Sequence, residues 1–130
     1  MAGPSQRSQT AARRVLVVDD DPDILDALSE ILEVEGYDVQ RARNGREALQ
    51  RLEQGLPDLV LLDLMMPVMD GWEFARSLAP GARPPIIVLS ADRNVSAKAK
   101  EIGALGWLAK PFELSELLEA VRSVVPRETP

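Results

Sequence analysis

Apolar and polar residues follow two different periods along this chain, and together they predict five strands alternating with five helices. Three short runs are apolar throughout, which is typical of strands buried on both faces of a parallel sheet: Val15–Val18, Leu59–Leu62 and Ile86–Leu89. Two weaker segments, Tyr37–Ala42 and Gly106–Ala109, suit strands at the edges of that sheet. Apolar residues at helical spacing between these segments predict the helices.

Capping residues predict where several helices begin and end. Asp21 followed by Pro22 is typical of an N-cap with proline in the first turn, and Gly36 predicts the end of that helix. Two further pairs have the spacing of a capping box: Asn44 with Glu47, and Asp70 with Glu73. The helix predicted at about 94–102 carries few apolar residues on one face, so it is a candidate for a moving part.

Five consecutive strand–helix units predict an α/β fold. Right-handed crossovers between the strands require a parallel sheet with helices on both faces. With the weaker strands at the edges, the order is 2-1-3-4-5, the flavodoxin-like doubly wound (βα)5 arrangement. We expect one domain over residues 14–125, a disordered N-terminal extension over 1–13, a C-terminal tail over 126–130, and no second domain.

Composition narrows the possible chemistry. The chain has no cysteine and no histidine, which excludes disulfides, thiolate metal sites and imidazole general bases. Any metal must therefore be held by oxygen, which favours Mg²⁺, Ca²⁺ or Mn²⁺. A net charge of -6 argues against nucleic acid as a partner of this domain. The sequence contains no membrane-spanning run or signal peptide, so we expect a cytoplasmic protein without membrane contact.

Polar side chains follow four of the predicted strands, where parallel strands end at a common edge. These residues are Asp19, Asp20, Asp63, Ser90 and Lys110. Clustered carboxylates require a cation to offset their repulsion, and an all-oxygen acidic cluster suits Mg²⁺. With a lysine and a hydroxyl beside them, they indicate a site where Asp63 acts as a nucleophile and becomes an aspartyl phosphate.

Taken singly, these residues also have simpler interpretations. Acids such as Asp19 and Asp20 are stabilised before any helix N-terminus, whatever the function. A serine at a strand end, such as Ser90, is more often a local cap than a phosphate ligand. The position of Trp107 near an edge strand predicts a core residue. A functional site is favoured because four strands place such residues at the same edge of the predicted sheet.

Four blocks of the sequence resemble response-regulator receiver domains of the CheY-like type, in order and spacing, over about residues 14–125. The blocks read VLVVDDDPDI, PDLVLLDLMMPVMDG, PIIVLSA and GWLAKPF. The resemblance implies that Asp63 is the phosphoacceptor, that Asp20 binds Mg²⁺ directly and that Asp19 acts largely through water. It also implies that Met65 gives its backbone carbonyl to the metal, and that Met65 and Asp92 line the site and tune the phosphoryl lifetime.

The same resemblance assigns the residues around the phosphoryl group. Ser90 matches the hydroxyl that moves to the phosphoryl group, with the Ala91 amide beside it. Lys110 matches the lysine that contacts phosphoryl oxygens, and the family pattern implies a cis peptide bond to Pro111. Trp107 stands at the aromatic switch position.

The resemblance implies a stand-alone phosphoacceptor signalling domain of a two-component pathway rather than an enzyme acting on other substrates. A sensor histidine kinase or phosphotransfer protein would supply the phosphoryl group, and slow autodephosphorylation would remove it. The face formed by the fourth helix, fifth strand and fifth helix would control partner binding, in a monomer or a phosphorylation-dependent dimer. Two alternatives stay open: a phosphorylation-independent adaptor, and the receiver fragment of a longer transcriptional regulator.

Overall fold

A computed structural model of the chain describes residues 13–64, 71–78 and 83–126. Within these ranges five strands alternate with five helices. The strands are β1 (Arg14–Val18), β2 (Asp38–Ala42), β3 (Leu59–Asp63), β4 (Ile86–Ser90) and β5 (Gly106–Ala109). The helices are α1 (Pro22–Val34), α2 (Gly45–Glu53), α3 (Gly71–Arg76), α4 (Val95–Ile102) and α5 (Leu114–Val124). In the described ranges, no helix is long and apolar enough to span a bilayer.

The strands form one parallel sheet in the order β2-β1-β3-β4-β5, which confirms the predicted flavodoxin-like topology. Register across the sheet brings the ends of neighbouring strands to the same level: Val18 at the end of β1 lies opposite Leu62, one residue before the end of β3, and Ser90 lies opposite Ala109. The residues that follow the strands therefore collect at one edge of the sheet, where open α/β folds bind their ligands.

Each face of the sheet carries its own apolar core, because successive side chains of a strand point to opposite faces. Val15, Val17 and Leu61 face α1 and α5, where Leu28 and Leu117 complete the packing. The alternate strand residues face α2, α3 and α4, and their cluster includes Leu16, Val60, Val88, Ala48, Phe74 and Ala99. The uninterrupted apolar runs of the three central strands are buried between the two layers, as predicted.

The helix ends agree with the predicted caps in part. Asp21 caps α1 as expected, because its carboxylate accepts the amide proton of Asp23. The predicted capping box of α2 is only half formed: Asn44 accepts the amide of Glu47, but the Glu47 carboxylate bonds to the amide of Arg43, one residue earlier. That carboxylate also pairs with the Arg43 guanidinium, which explains the altered bond.

The start of α5 has a complete capping box that the sequence analysis did not identify, formed by Glu113 and Glu116. Asp70, predicted to cap α3 with Glu73, lies outside the described residues. So do nearly all of the residues predicted to form a disordered extension and a tail, and those predictions are untested.

The outer edge of the sheet at β2 is covered by a side chain from α2. The Arg51 guanidinium donates a hydrogen bond of 3.0 Å to the backbone carbonyl of Arg41. Arg41 itself pairs with Asp26 on α1. An edge strand offers unpaired backbone groups to other chains, so this contact occupies one of the exposed acceptors.

The buried Tyr37 ties the start of β2 to the end of α5. Its hydroxyl donates a 2.7 Å hydrogen bond to the backbone carbonyl of Val125, 88 residues away in sequence. Both residues are buried in the core that faces α1 and α5, so the bond fixes the last turn of α5 against the sheet.

We expect Tyr37→Phe to lower the free energy of unfolding by about 1–2 kcal/mol, because it leaves a buried carbonyl without its donor. Urea denaturation followed by circular dichroism measures the change. Ser123→Ala is the matched control, because it removes an exposed hydroxyl bonded to the carbonyl of Ala120. A Tyr37→Phe variant as stable as this control would show that the tether contributes nothing.

Candidate functional site

Three carboxylates meet at the C-terminal edge of the sheet. Asp19 and Asp20 follow β1, and Asp63 is the last residue of β3, the neighbouring strand. One oxygen atom from each lies within 4.8 Å of the others. Asp19 and Asp63 are buried, whereas Asp20 is exposed, so the cluster opens to solvent on the side of Asp20.

Lys110 brings the opposing charge to this cluster. Its Nζ lies 2.9 Å from Asp19 Oδ2 and 3.6 Å from Asp63 Oδ2. Burial by itself would lower the pKa of Lys110, but the hydrogen bond to Asp19 and the negative charges of Asp63 and Asp19 outweigh it and raise that pKa. Lys110 therefore stays protonated at physiological pH and joins two carboxylates that would otherwise repel each other.

Backbone contacts hold Lys110 and Asp19 in place. The amide of Lys110 donates to the carbonyl of Ser90, which extends the β4–β5 pairing beyond the last strand residue. The second oxygen of Asp19 accepts the amide of Asp21, at the N-cap of α1. The peptide bond between Lys110 and Pro111 is cis, as the family resemblance implies.

Ser90 is fully buried at the end of β4. Its Oγ accepts a 3.1 Å hydrogen bond from the amide of Asp92, so the local capping interpretation holds in this structure. Ala91, which follows it, is exposed and lines a hollow beside the acid cluster. The structure thus brings Asp19, Asp20, Asp63 and Lys110 into direct proximity and places Ser90 and Ala91 at the adjoining strand end.

The hollow has a volume of about 420 Å³ and separates α1 from the loop after β5. Its walls are mostly apolar, and Lys110 provides the charged group on its border. The lining residues are Ile24, Ala27, Leu28, Ala91, Lys110, Pro111 and Phe112. A partner that approached the acid cluster from this side would meet an apolar surface.

The donor set of the cluster fits a hard divalent cation. All of its side-chain ligands are carboxylate oxygens, and Lys110 leaves a net charge of about -2 for three acids and one lysine. An uncompensated cluster of this kind is repulsive, and Mg²⁺ is bound in proteins through one or two carboxylates with water. Met65, whose carbonyl is implied to complete the site, lies outside the described residues.

The pattern-based prediction that Trp107 belongs to the core is wrong. Trp107 is 45% exposed on the edge strand β5. Its register partner Val88 is buried beneath α4, but α4 is short and buries only Val95, Ala99 and Ile102. These few buried residues agree with the poor amphipathicity predicted for the helix, and they leave the indole exposed.

One contact near the site was missed from the sequence. Lys98 of α4 forms an ion pair with Asp92, the residue whose amide bonds to Ser90. The two residues stand six apart across a helix start, where no regular spacing indicates a pair. The only signal in the sequence is an acidic loop residue followed by a lysine in the first turns of the next helix.

Comparison with known proteins identifies the family. Residues 15–122 match the response regulator receiver domain. The chain is 44% identical over 120 residues to response regulator MprA of Mycolicibacterium vanbaalenii, an alignment that covers 90% of this chain and 52% of MprA. It is 39% identical over 131 residues to transcriptional regulatory protein PdtaR of Mycobacterium tuberculosis, covering 98% of this chain and 64% of PdtaR. The chain therefore spans between half and two thirds of these relatives.

A solved structure agrees with the sequence comparison. Response regulator protein TrrA of Thermotoga maritima, crystallised in complex with Mg²⁺ and BeF, superposes with a TM-score of 0.78 at 37% identity, over 87% of this chain and 99% of TrrA. Taken with the fold and the match over most of the chain, these findings show that the protein belongs to the response regulator receiver domain family.

Charge repulsion in the cluster predicts the effect of Asp20→Asn. Without divalent cations, removing one of three neighbouring like charges should raise the free energy of unfolding by about 0.5–1 kcal/mol. Urea denaturation in EDTA at low ionic strength measures this change. Asp23→Asn, an exposed acid in the first turn of α1, is the control and should not stabilise the protein.

Saturating Mg²⁺ should remove or reverse the advantage of Asp20→Asn, because the ion stabilises the form that binds it more tightly. Destabilisation by Asp20→Asn in EDTA would show that the three carboxylates do not repel one another.

Proposed function

We propose that this protein accepts a phosphoryl group on Asp63 in a Mg²⁺-dependent reaction and so acts as a phosphorylated switch of a two-component pathway. The observation that carries the proposal is Lys110, whose Nζ lies between the buried carboxylates of Asp19 and Asp63 at the sheet edge. A positive charge in this position can neutralise oxygens of a phosphoryl group attached to Asp63. The family match and the Mg²⁺–BeF complex of TrrA support the same chemistry.

In the proposed reaction a carboxylate oxygen of Asp63 attacks phosphorus, a P–O bond forms, and the P–N bond to a donor histidine breaks with the electron pair leaving on the imidazole. Lys110 would hold the phosphoryl oxygens in line, and the Ser90 hydroxyl and Ala91 amide would donate to them. Asp20, Asp19, Asp63 and the Met65 carbonyl are the proposed Mg²⁺ ligands, directly or through water. When bound, Mg²⁺ would supply further positive charge to the phosphoryl oxygens.

The proposed donor is a protein, either a sensor histidine kinase or a phosphotransfer protein in the cytoplasm. The apolar hollow beside Lys110 supports this choice, because a small phosphodonor needs only the charged residues. A protein donor would bury the apolar surface of α1 and of the loop after β5 while presenting its phosphohistidine to Asp63. Slow hydrolysis of the aspartyl phosphate would return the protein to its starting state.

The proposed output surface is the face formed by α4, β5 and α5. Two large apolar side chains are exposed here: Trp107 of β5 is 45% exposed, and Leu105, just before β5, is 65% exposed. Phosphorylation would change this face and thereby control a protein partner or a dimer contact. The greater length of MprA and PdtaR supports a second candidate, a receiver that belongs to a longer regulator. The size of the endogenous protein on an immunoblot would decide between these two forms.

We expect the wild-type protein to gain the mass of one phosphoryl group when it is incubated with acetyl phosphate and Mg²⁺, as measured by intact mass spectrometry. Asp63→Asn and omission of Mg²⁺ should each abolish the gain. Asp58→Asn is the matched control: this exposed acid precedes the same strand and accepts the Arg14 amide at the opposite end of β3. No gain in the wild type, together with no binding of beryllofluoride, would favour the phosphorylation-independent adaptor.

Ala27→Asp tests the proposed donor surface. A charge in the hollow should slow transfer from a phosphorylated histidine kinase of the same organism by tenfold or more, roughly 1.4 kcal/mol or more, because it must be desolvated on docking. The rate with acetyl phosphate should stay within about twofold of wild type. The corresponding change on the exposed surface of α5, Ser115→Asp, is the control. Equal slowing with both donors would place the effect in the site rather than in docking.

A further inference from the structure

A chain of three contacts links Ser90 to helix α4. The Ser90 hydroxyl accepts the amide proton of Asp92 at 3.1 Å. The Asp92 carboxylate accepts the amide of Asn94 at 2.7 Å through one oxygen, and its other oxygen pairs with Lys98 Nζ. Lys98 belongs to the first turns of α4, so the helix and the strand end are connected through a single loop residue.

The ion pair between Asp92 and Lys98 is partly buried and can therefore restrain the loop before α4. The side chains of Lys98 and Asp92 are 27% and 26% exposed, less than those of the Arg14–Asp38, Arg41–Asp26 and Arg43–Glu47 pairs. Hydrogen bonds from Lys98 and then from the amide of Asn94 lower the pKa of Asp92. The carboxylate therefore stays ionised, and the ion pair persists near neutral pH. Asn94 makes no side-chain cap on α4, so the ion pair of Asp92 with Lys98 adds a side-chain link to the backbone bond from the Val95 amide to the Asp92 carbonyl.

The Ser90 hydroxyl is bonded to the loop that precedes α4. In the described part of the chain its hydrogen-bond partner is the Asp92 amide, and it makes no bond to Asp63 or Lys110. A phosphoryl group on Asp63 that drew the Ser90 hydroxyl toward itself would shift this side chain or the end of β4. Any such shift works against the bond to Asp92 and against the contacts that hold Asp92 in place.

We infer that Lys98 is a positioning residue that acts through Asp92 to keep the Ser90 hydroxyl bonded to the loop before α4, so that the ion pair stabilises the unphosphorylated form. This inference rests on the proposed function and adds a restraint that this chain's own α4 supplies. The pair stabilises one of two arrangements, and its removal should shift the equilibrium toward the other. Lys98 thereby couples the site to the proposed output face, because it lies on α4.

Binding of beryllofluoride, a mimic of the aspartyl phosphoryl group, measures this equilibrium. With Mg²⁺ present, Lys98→Met and Asp92→Ala should each bind it about two- to fivefold more tightly than wild type, the range expected for loss of a partly exposed ion pair. The double variant should resemble Asp92→Ala, because both changes break the same link. Lys98→Arg keeps the pair and should restore wild-type affinity.

Amide hydrogen exchange gives a second, independent readout. In the absence of beryllofluoride, the amide of residue 92 should exchange faster in Lys98→Met than in wild type, because its bond to Ser90 is less well held. Arg122→Met is the matched control, since it removes the ion pair with Glu35 between α5 and the end of α1, far from the site. This control should leave both the affinity and the exchange at residue 92 unchanged.

Three results have distinct meanings. If wild type fails to bind beryllofluoride with Mg²⁺, the proposed function itself is overturned. If wild type binds, but Lys98→Met and Asp92→Ala bind equally well and differ only in stability, the pair is merely structural and the inference is overturned. If Lys98→Met binds more weakly while Asp92→Ala binds more tightly, Lys98 acts by neutralising charge near the site, and the positioning role is also overturned.

Discussion

The repulsion among three carboxylates at one edge of the sheet is the constraint on which the rest of this molecule depends. Asp19 and Asp63 are nearly inaccessible to solvent, and buried charges without partners are strongly destabilising. Lys110 is the group that makes their burial tolerable, and its position follows from a backbone bond to Ser90. The fold therefore holds a cluster of negative charges that one lysine only partly neutralises. A bound cation or a phosphoryl group changes the net charge of that cluster.

Two different networks reach Ser90 from opposite sides. Its carbonyl accepts the amide of Lys110 and so belongs to the charged cluster, whereas its hydroxyl accepts the amide of Asp92 and so belongs to the loop before α4. One buried serine is consequently shared between the site and a helix that buries only three side chains. Displacing a weakly packed helix requires little free energy, so small changes of charge at the site can shift the position of α4.

Much of this arrangement could be predicted because it depends on local pattern. The uninterrupted apolar runs indicated the central strands, and parallel topology then required Asp19, Asp63 and Lys110 to converge. What escaped prediction depends on side chains that meet across elements. The strand pattern around Trp107, taken by itself, predicts a core residue, because it does not reveal how little of the indole α4 covers. Glu47 bonds to the amide of Arg43 because the Arg43 guanidinium attracts its carboxylate. The Asp92–Lys98 pair has no periodic signature at all.

The arginine that covers the outer strand has a consequence for how this protein can associate. With Arg51 on the Arg41 carbonyl, the β2 margin is a poor template for another strand, and the opposite margin, β5, is only four residues long. Continuous sheets built from several copies are thus disfavoured at both sides. This molecule therefore associates through its helices and the side chains between them. Such contacts can form and break without a rearrangement of the backbone.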